Sequence, residues 1–243
     1  MQKRQRLQNT LTVILTRMTS SRLPGKALVD ICGVSNLKRM LDRVKKAHHS
    51  GLICIATTKN ITDDPIEKFG KREAVEVFRG DEQDVLGRVF EAANFFGANN
   101  LIRLTGDCPM IDPALIDEVY EIYTSGSYDY VANGNIRSFP DGLDVEVFSF
   151  DALEKAHQGA THPFLREHVT PYIRGSHPQF GCGEFKIKNV VCPWNFGHVR
   201  WTLDTPHDLK IIRELISHLP SEYSWMDALA VATKYPHLLG IKN

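Results

Sequence analysis

Within ten residues, Arg17-Met18-Thr19-Ser20-Ser21-Arg22-Leu23-Pro24-Gly25-Lys26 gathers three fixed cations, three hydroxyls and a Pro-Gly bend. Arg17, Arg22 and Lys26 can neutralise a polyphosphate. Thr19, Ser20, Ser21 and the backbone N–H groups around them can hydrogen-bond its oxygens. Gly25 permits close approach of the backbone to a ligand. A nucleoside triphosphate answers all of these groups at once.

Other residues could complete such chemistry. Asp107, in Arg103-Leu104-Thr105-Gly106-Asp107-Cys108-Pro109, follows an apolar run and so stands at the carboxyl end of a strand, where open α/β sheets bind ligands. Alone, Gly106-Asp107 reads as a strand-ending turn. Beside a triphosphate loop it reads as a ligand for Mg²⁺. Asp204, in Arg200-Trp201-Thr202-Leu203-Asp204-Thr205-Pro206, again ends an apolar run and precedes a helix. Either it caps that helix, or Thr205 does and Asp204 is left for a metal. Asp144 and Glu146 lie two apart in the run 143–148, so on a strand they share a face, with Leu143, Val145 and Val147 on the other. Such a pair repels unless a cation, sugar hydroxyls or water relieves it; the alternative is a solvated edge strand. In Gly80-Asp81-Glu82-Gln83-Asp84-Val85-Leu86-Gly87-Arg88, Asp84 reads as a helix cap, and the loop is polar enough to read a nucleobase edge. Arg166-Glu167-His168 is either a solvated helix face or a site for an acidic acceptor. The histidines lack metal-ligand spacing, which argues against zinc.

The elements that must position these groups are visible as alternating patterns. Apolar, strand-like runs at Thr10–Leu15, 52–56, 75–78 and 101–105 alternate with helical spacing at 37–47, 85–96 and 113–123. Ser35 and Pro113 stand at helix starts. This alternation predicts an α/β fold: a three-layer α/β/α sandwich with a mostly parallel mixed sheet. Further strands are expected at 128–132, 143–148 and 198–203, and helices at 150–157, 164–173, 206–218 and 224–234. Residues 175–197, rich in glycine, are expected to form a small β arm or hairpin outside the core sheet. With no repeat or linker, residues 1–243 are expected to form one domain.

Composition excludes several classes of function. Of 243 residues, 42% are hydrophobic and 24% charged, as in ordinary globular proteins. Lysine plus arginine number 29, as do aspartate plus glutamate, so no global field draws the chain to nucleic acid or an anionic membrane. The five cysteines show no C-x-x-C pair, and their scatter fits reduced thiols in a cytoplasm. The basic, polar start of the chain is followed by an apolar run too short for a signal peptide or a membrane span. A cytoplasmic protein is expected.

Taken together, the motifs resemble the cytidylyltransferases that activate acidic sugars, a branch of the nucleotide-diphospho-sugar transferase fold. The likeness is to the spore-coat polysaccharide F type, related to the acylneuraminate and 3-deoxy-manno-octulosonate cytidylyltransferases. It is carried, in family order, by Ser21-Arg22-Leu23-Pro24-Gly25-Lys26, the 80–86 loop, Thr105-Gly106-Asp107-Cys108-Pro109, Asp141-Gly142-Leu143-Asp144-Val145-Glu146, Arg166-Glu167-His168-Val169-Thr170-Pro171-Tyr172 and Arg200-Trp201-Thr202-Leu203-Asp204-Thr205-Pro206. The resemblance implies transfer of CMP from CTP to an acidic sugar, a nonulosonic acid, with release of pyrophosphate, for surface polysaccharide synthesis. It implies a homodimer, with 175–197 as the arm.

By the same resemblance, Arg17, Ser20, Ser21, Arg22 and Lys26 hold the triphosphate, and Arg22, Lys26 and Asp107 are catalytic. Asp107 and Asp204 bind Mg²⁺. Asp81, Asp84 and Arg88 face the nucleotide, and Asp144, Glu146, Arg166, His168 and Arg200 the acceptor. There are departures. Thr16 stands where the family often has alanine. Thr105 and Cys108 stand where the octulosonate enzymes carry glutamine and glutamate, which speaks against octulosonate as substrate. Two rival readings are a sugar-nucleotide-dependent glycosyltransferase, which has no need of a three-cation loop, and a catalytically inactive nucleotide-binding relative, which has no need of Lys26, Asp107 and Asp204.

Overall fold

The structure is a computed structural model that describes residues 9–241. The polar start of the chain, read above against a signal peptide, lies outside them but for Asn9. In chain order the strands are β1 (Thr10–Leu15), β2 (Asp30–Ile31), β3 (Val34–Ser35), β4 (Leu52–Thr58), β5 (Glu76–Gly80), β6 (Asn100–Thr105), β7 (Tyr130–Ala132), β8 (Glu146–Ser149) and β9 (Ile187–Asn189). The helices are α1 (Asn36–Val44), α2 (Asp64–Glu73), α3 (Val85–Phe95), α4 (Pro113–Ser125), α5 (Phe150–Gly159), α6 (Pro163–His168), α7 (Pro171–Arg174), α8 (Pro206–Ser217) and α9 (Trp225–Lys234).

Side-chain alternation along the strands builds two cores, one on each face of the sheet. Leu11 and Val13 of β1, Cys54 and Ala56 of β4 and Leu101 of β6 point to one face, against Leu86, Val89 and Ala93 of α3 and Leu153 of α5. Ile14, Ile53, Ile55, Ile102 and Leu104 point to the other, against Leu37 and Leu41 of α1, Ile116 of α4 and Ile212 of α8. Each fully buried aliphatic side chain contributes about 1.5–3 kcal/mol. Thr10 and Thr12 are buried among them without an unmet hydroxyl: Thr10 meets the Tyr120 hydroxyl at 2.7 Å and Thr12 donates to the Ser50 carbonyl at 2.6 Å.

The main sheet has seven strands in the order β5-β4-β1-β6-β8-β7-β9. β5, β4, β1 and β6 are all parallel, so their carboxyl ends open on one edge. The loops that begin at Thr16, Asp81 and Gly106 therefore emerge side by side. β8 then runs antiparallel to β6 and β7, and β9 parallel to β7. β2 and β3 form a separate two-stranded antiparallel ribbon.

Four sequence expectations are corrected. The strand expected over 143–148 begins only at Glu146, because Asn133 takes up the backbone on either side of Asp144: its Nδ2 donates to the Leu143 carbonyl and its Oδ1 accepts from Val145 N–H. The helix expected over 164–173 is two short helices, parted at Val169 with φ 71°. Pro171 has no N–H to continue the first helix and instead stands in the first turn of the second. The run 198–203 is not a strand; apart from a bridge from Asp141 to Arg200, its N–H groups go to Phe196, Leu239, Asp141 and Asp107 carbonyls. The 175–197 segment is not a hairpin outside the sheet, since β9 is the edge strand of the sheet itself. Asp129 fixes that register: its carboxylate accepts the Lys186 N–H and its own N–H donates to the Lys186 carbonyl, both at 2.8 Å.

Candidate active site

A cleft of about 820 Å³ opens at the carboxyl edge of the parallel strands, within the range of small-molecule sites. Arg17, Ser20, Ser21, Arg22, Lys26, Asp84, Arg88, Asp107, Arg166 and His168 line it; of the other expected residues, Asp81, Asp144, Glu146, Arg200 and Asp204 do not.

The loop after β1 is shaped from inside. Asp63, fully buried, accepts the Met18 N–H at 2.8 Å through Oδ1 and takes the Thr57 and Thr58 hydroxyls and the Thr58 N–H on Oδ2. Burial opposes the Asp63 charge, but these donors outweigh it and hold its pKa below the ordinary aspartate value. The Gly25 N–H returns to the Met18 carbonyl at 3.0 Å, and Gly25 adopts φ 72°, which a side chain disfavours. Its position delivers Lys26 inward.

Lys26 Nζ lies 2.9 Å from Asp204 Oδ1 and 3.2 Å from Asp107 Oδ2. These acids meet although 97 residues separate them in sequence, because the Leu203 N–H donates to the Asp107 carbonyl at 2.8 Å. Thr205, not Asp204, caps α8, in a reciprocal capping box with Asp208. Asp204 is instead held by cations: Arg22 at 3.0 Å, Lys26, and Arg200 at 2.6 Å. Burial raises its pKa, but Lys26 above all, then Arg22 and Arg200, hold it below the ordinary aspartate value. Burial likewise works against the Lys26 charge, and Asp107 and Asp204 overcome it, leaving its pKa above the ordinary lysine value. Asp107 and Asp204 are the donors on which a hard divalent cation could sit.

The opposite rim comes from β5, α3 and α6. Glu82 binds Arg17 at 2.9 Å, the Thr19 hydroxyl at 3.1 Å and Asn60 at 2.6 Å. Asp81 turns away from the cleft: its Oδ1 accepts the Gln83 and Asp84 N–H groups, each at 2.8 Å, and so forms the turn. Asp84 caps α3 through the Gly87 N–H and also receives Arg166 in a two-pronged pair at 2.9 and 2.5 Å. Arg166 therefore joins α6 to the start of α3. Arg88 is 4% exposed and makes no ion pair among the described residues; its Nη1 donates to the Asp81 carbonyl while its Nε is buried without a partner. Burial, then Arg17, lowers its pKa.

Asp144 and Glu146 do not share a ligand. Asp144 is gripped by Arg137 at 2.7 and 3.0 Å, and Glu146 pairs with Arg103 inside the protein. Each carboxylate has its own arginine, yet burial, with Asp141 and Glu146 behind it, outweighs Arg137 and leaves the Asp144 pKa above the ordinary aspartate value. Arg200 lies behind the cleft among Asp141, Asp204 and Asp208. Sequence reasoning passed over Arg103, Glu82, Asp63 and Asn36, whose Nδ2 holds the Gly106 carbonyl at 2.7 Å. Arg103 alone carried a signal, a cation inside an apolar strand.

Several known proteins are similar to this chain. The sequence profile described as Cytidylyltransferase matches residues 11–224. The spore coat polysaccharide biosynthesis protein SpsF of Bacillus subtilis is 31% identical over 216 residues, covering 86% of this chain and 87% of that protein. A 3-deoxy-manno-octulosonate cytidylyltransferase of Geobacter sulfurreducens is 34% identical over 110 residues, covering 45% of this chain and 43% of that protein. Among solved structures, a cytidylyltransferase from Leptospira borgpetersenii superposes with a TM-score of 0.90 at 30% identity, covering 97% of this chain and 98% of that one.

Proposed function

Because the chain belongs to the cytidylyltransferase family and is a CTP-dependent nucleotidyltransferase, we propose that it transfers CMP from CTP to an acidic sugar, a nonulosonic acid, releasing pyrophosphate, in surface polysaccharide synthesis. What carries this reading is the convergence of Lys26, Asp107 and Asp204 beside a loop of three cations. The names of the relatives from Geobacter and Bacillus support an acidic sugar and a polysaccharide. The departures at Thr105 and Cys108 favour a nonulosonic acid over octulosonate. Of these, Thr105 lines the cleft, and Cys108 is buried in the core.

The acceptor hydroxyl attacks the α-phosphorus in line, and pyrophosphate leaves. The protein's part is positioning and neutralisation of charge. Arg17, Ser20, Ser21 and Arg22 bind the triphosphate, and Arg22 and Lys26 offset the charge that grows on pyrophosphate. Two carboxylates beside a phosphate loop offer hard oxygen donors, which suit Mg²⁺. Asp107 and Asp204 would hold Mg²⁺, whose charge, when bound, neutralises phosphate oxygens.

The test is pyrophosphate release from each of the four ribonucleoside triphosphates mixed with N-acetylneuraminate, 3-deoxy-manno-octulosonate or a neutral hexose. Release is expected only from CTP with an acidic sugar. Release that needs another nucleotide, or that is supported by the neutral hexose alone, overturns the proposal.

A further inference from the structure

The cleft contains a further cation, outside the phosphate loop, whose environment differs from that of the loop. Arg103, on β6, lines the cleft with a side chain 15% exposed. Of its nitrogens only Nη1 finds an acceptor among the described residues, the Glu146 carboxylate; Nε is buried with no partner. Glu146 is itself fixed. Its Oε1 takes the Tyr130 and Thr170 hydroxyls, each at 2.7 Å, leaving Oε2 for Arg103. Burial works against the Glu146 charge, and Arg103 first, then Arg174, hold its pKa below the ordinary glutamate value. Burial, and beyond it Arg103 and Arg174, outweigh Glu167 and keep the neighbouring His168 below the ordinary histidine value.

We propose that Arg103 is the seat of the acceptor's carboxylate, and that Glu146, Tyr130 and Thr170 are positioning residues that aim it. Taking the acceptor as an acidic sugar rests on the reading above. A mostly buried guanidinium with unused donors is costly until an anion meets them. Its planar fork matches a carboxylate in two-pronged fashion. The triphosphate has cations of its own in Arg17, Arg22, Lys26 and the unpaired Arg88. Glu146, expected from sequence to meet the sugar, acts through Arg103 instead.

The test uses the full chain with CTP, N-acetylneuraminate, 3-deoxy-manno-octulosonate and the carboxyl methyl ester of each. Wild-type protein inert toward both free acids counts against the acidic-acceptor reading itself and removes the proposal with it. With turnover established, Arg103→Lys should raise the KM for the acid about tenfold to a hundredfold while the KM for CTP stays within about twofold. The acid-over-ester preference of the wild type should shrink with it. Thr170→Val leaves Arg103 in place but loosens Glu146, and should raise the same KM by a smaller factor; it supplies the readout if Arg103→Lys does not fold. A rise in the KM for CTP with the acceptor KM unchanged would place Arg103 on the nucleotide. A fall in kcat alone, or equal use of acid and ester by the wild type, also overturns the proposal.

Discussion

Lys26→Met removes the cation shared by Asp107 and Asp204 while keeping nearly the same volume. The lysine and both acids are mostly buried, with side chains 17%, 23% and 11% exposed. Removing one partner of a fully buried pair costs about 3–5 kcal/mol. Here the cost is smaller, because Asp204 keeps Arg22 and Arg200 and Asp107 reaches solvent. A loss of about 1–2 kcal/mol follows, which for a chain of this size lowers Tm by about 2–8 °C. Turnover should fall further, by about a hundredfold to a thousandfold, since in the proposed reaction the lost charge faces the leaving pyrophosphate. The two carboxylates, released from Lys26, should then bind Mg²⁺ more readily than in the wild type, where Lys26 bridges them. Differential scanning fluorimetry with and without Mg²⁺, alongside pyrophosphate release, reads all three effects. A Mg²⁺-induced rise in Tm no larger in the variant than in the wild type refutes the shared-site argument. So does turnover within about threefold of wild type.

Three further outcomes are expected. Asp107→Asn should lower activity and shift the Mg²⁺ titration of the rate to higher concentration; an unchanged titration places the metal elsewhere. Gly106→Ala should cost activity and stability, since a Cβ there would lie 2.6 Å from Thr16 Cβ and 3.0 Å from the Leu15 carbonyl and would displace Asp107; wild-type kinetics would contradict the close contact. The pH profile of stability should have an acid limb. Asp204, Glu146 and Asp63 have folded pKa values below their ordinary ones, so their stabilisation is full above the ordinary carboxylate range and is lost as pH falls from that range through the lower folded values. Tm should hold between about pH 8 and 5 and drop below about pH 4; a Tm unchanged from pH 5 to 3 removes that account.

Local pattern was sufficient for much of this protein. The period-two and helical repeats from Thr10 to Ser125 place β1, β4, β6, α3 and α4 within a few residues of where they lie, because each buries a regular apolar stripe. The cations and hydroxyls of the 17–26 loop were equally legible, since their types and crowding do not depend on distant partners. Pattern failed where a segment's hydrogen bonds go to remote chain. Residues 198–203 look like a strand but spend their N–H groups on loops, and β9 joins the sheet through Asp129. The same limit applies to side chains: Glu146 and Arg103 are 43 residues apart, and no local spacing reports their pairing. What the sequence determined by itself is a parallel α/β frame with an anion loop after its first strand, because periodicity and charge are local properties. What only the tertiary structure decided is which carboxylates meet Lys26 and that Arg88 and Arg103 keep unspent donors at the cleft. Those depend on β1 and β6 running side by side and on the Leu203–Asp107 backbone hydrogen bond drawing a distant loop against them.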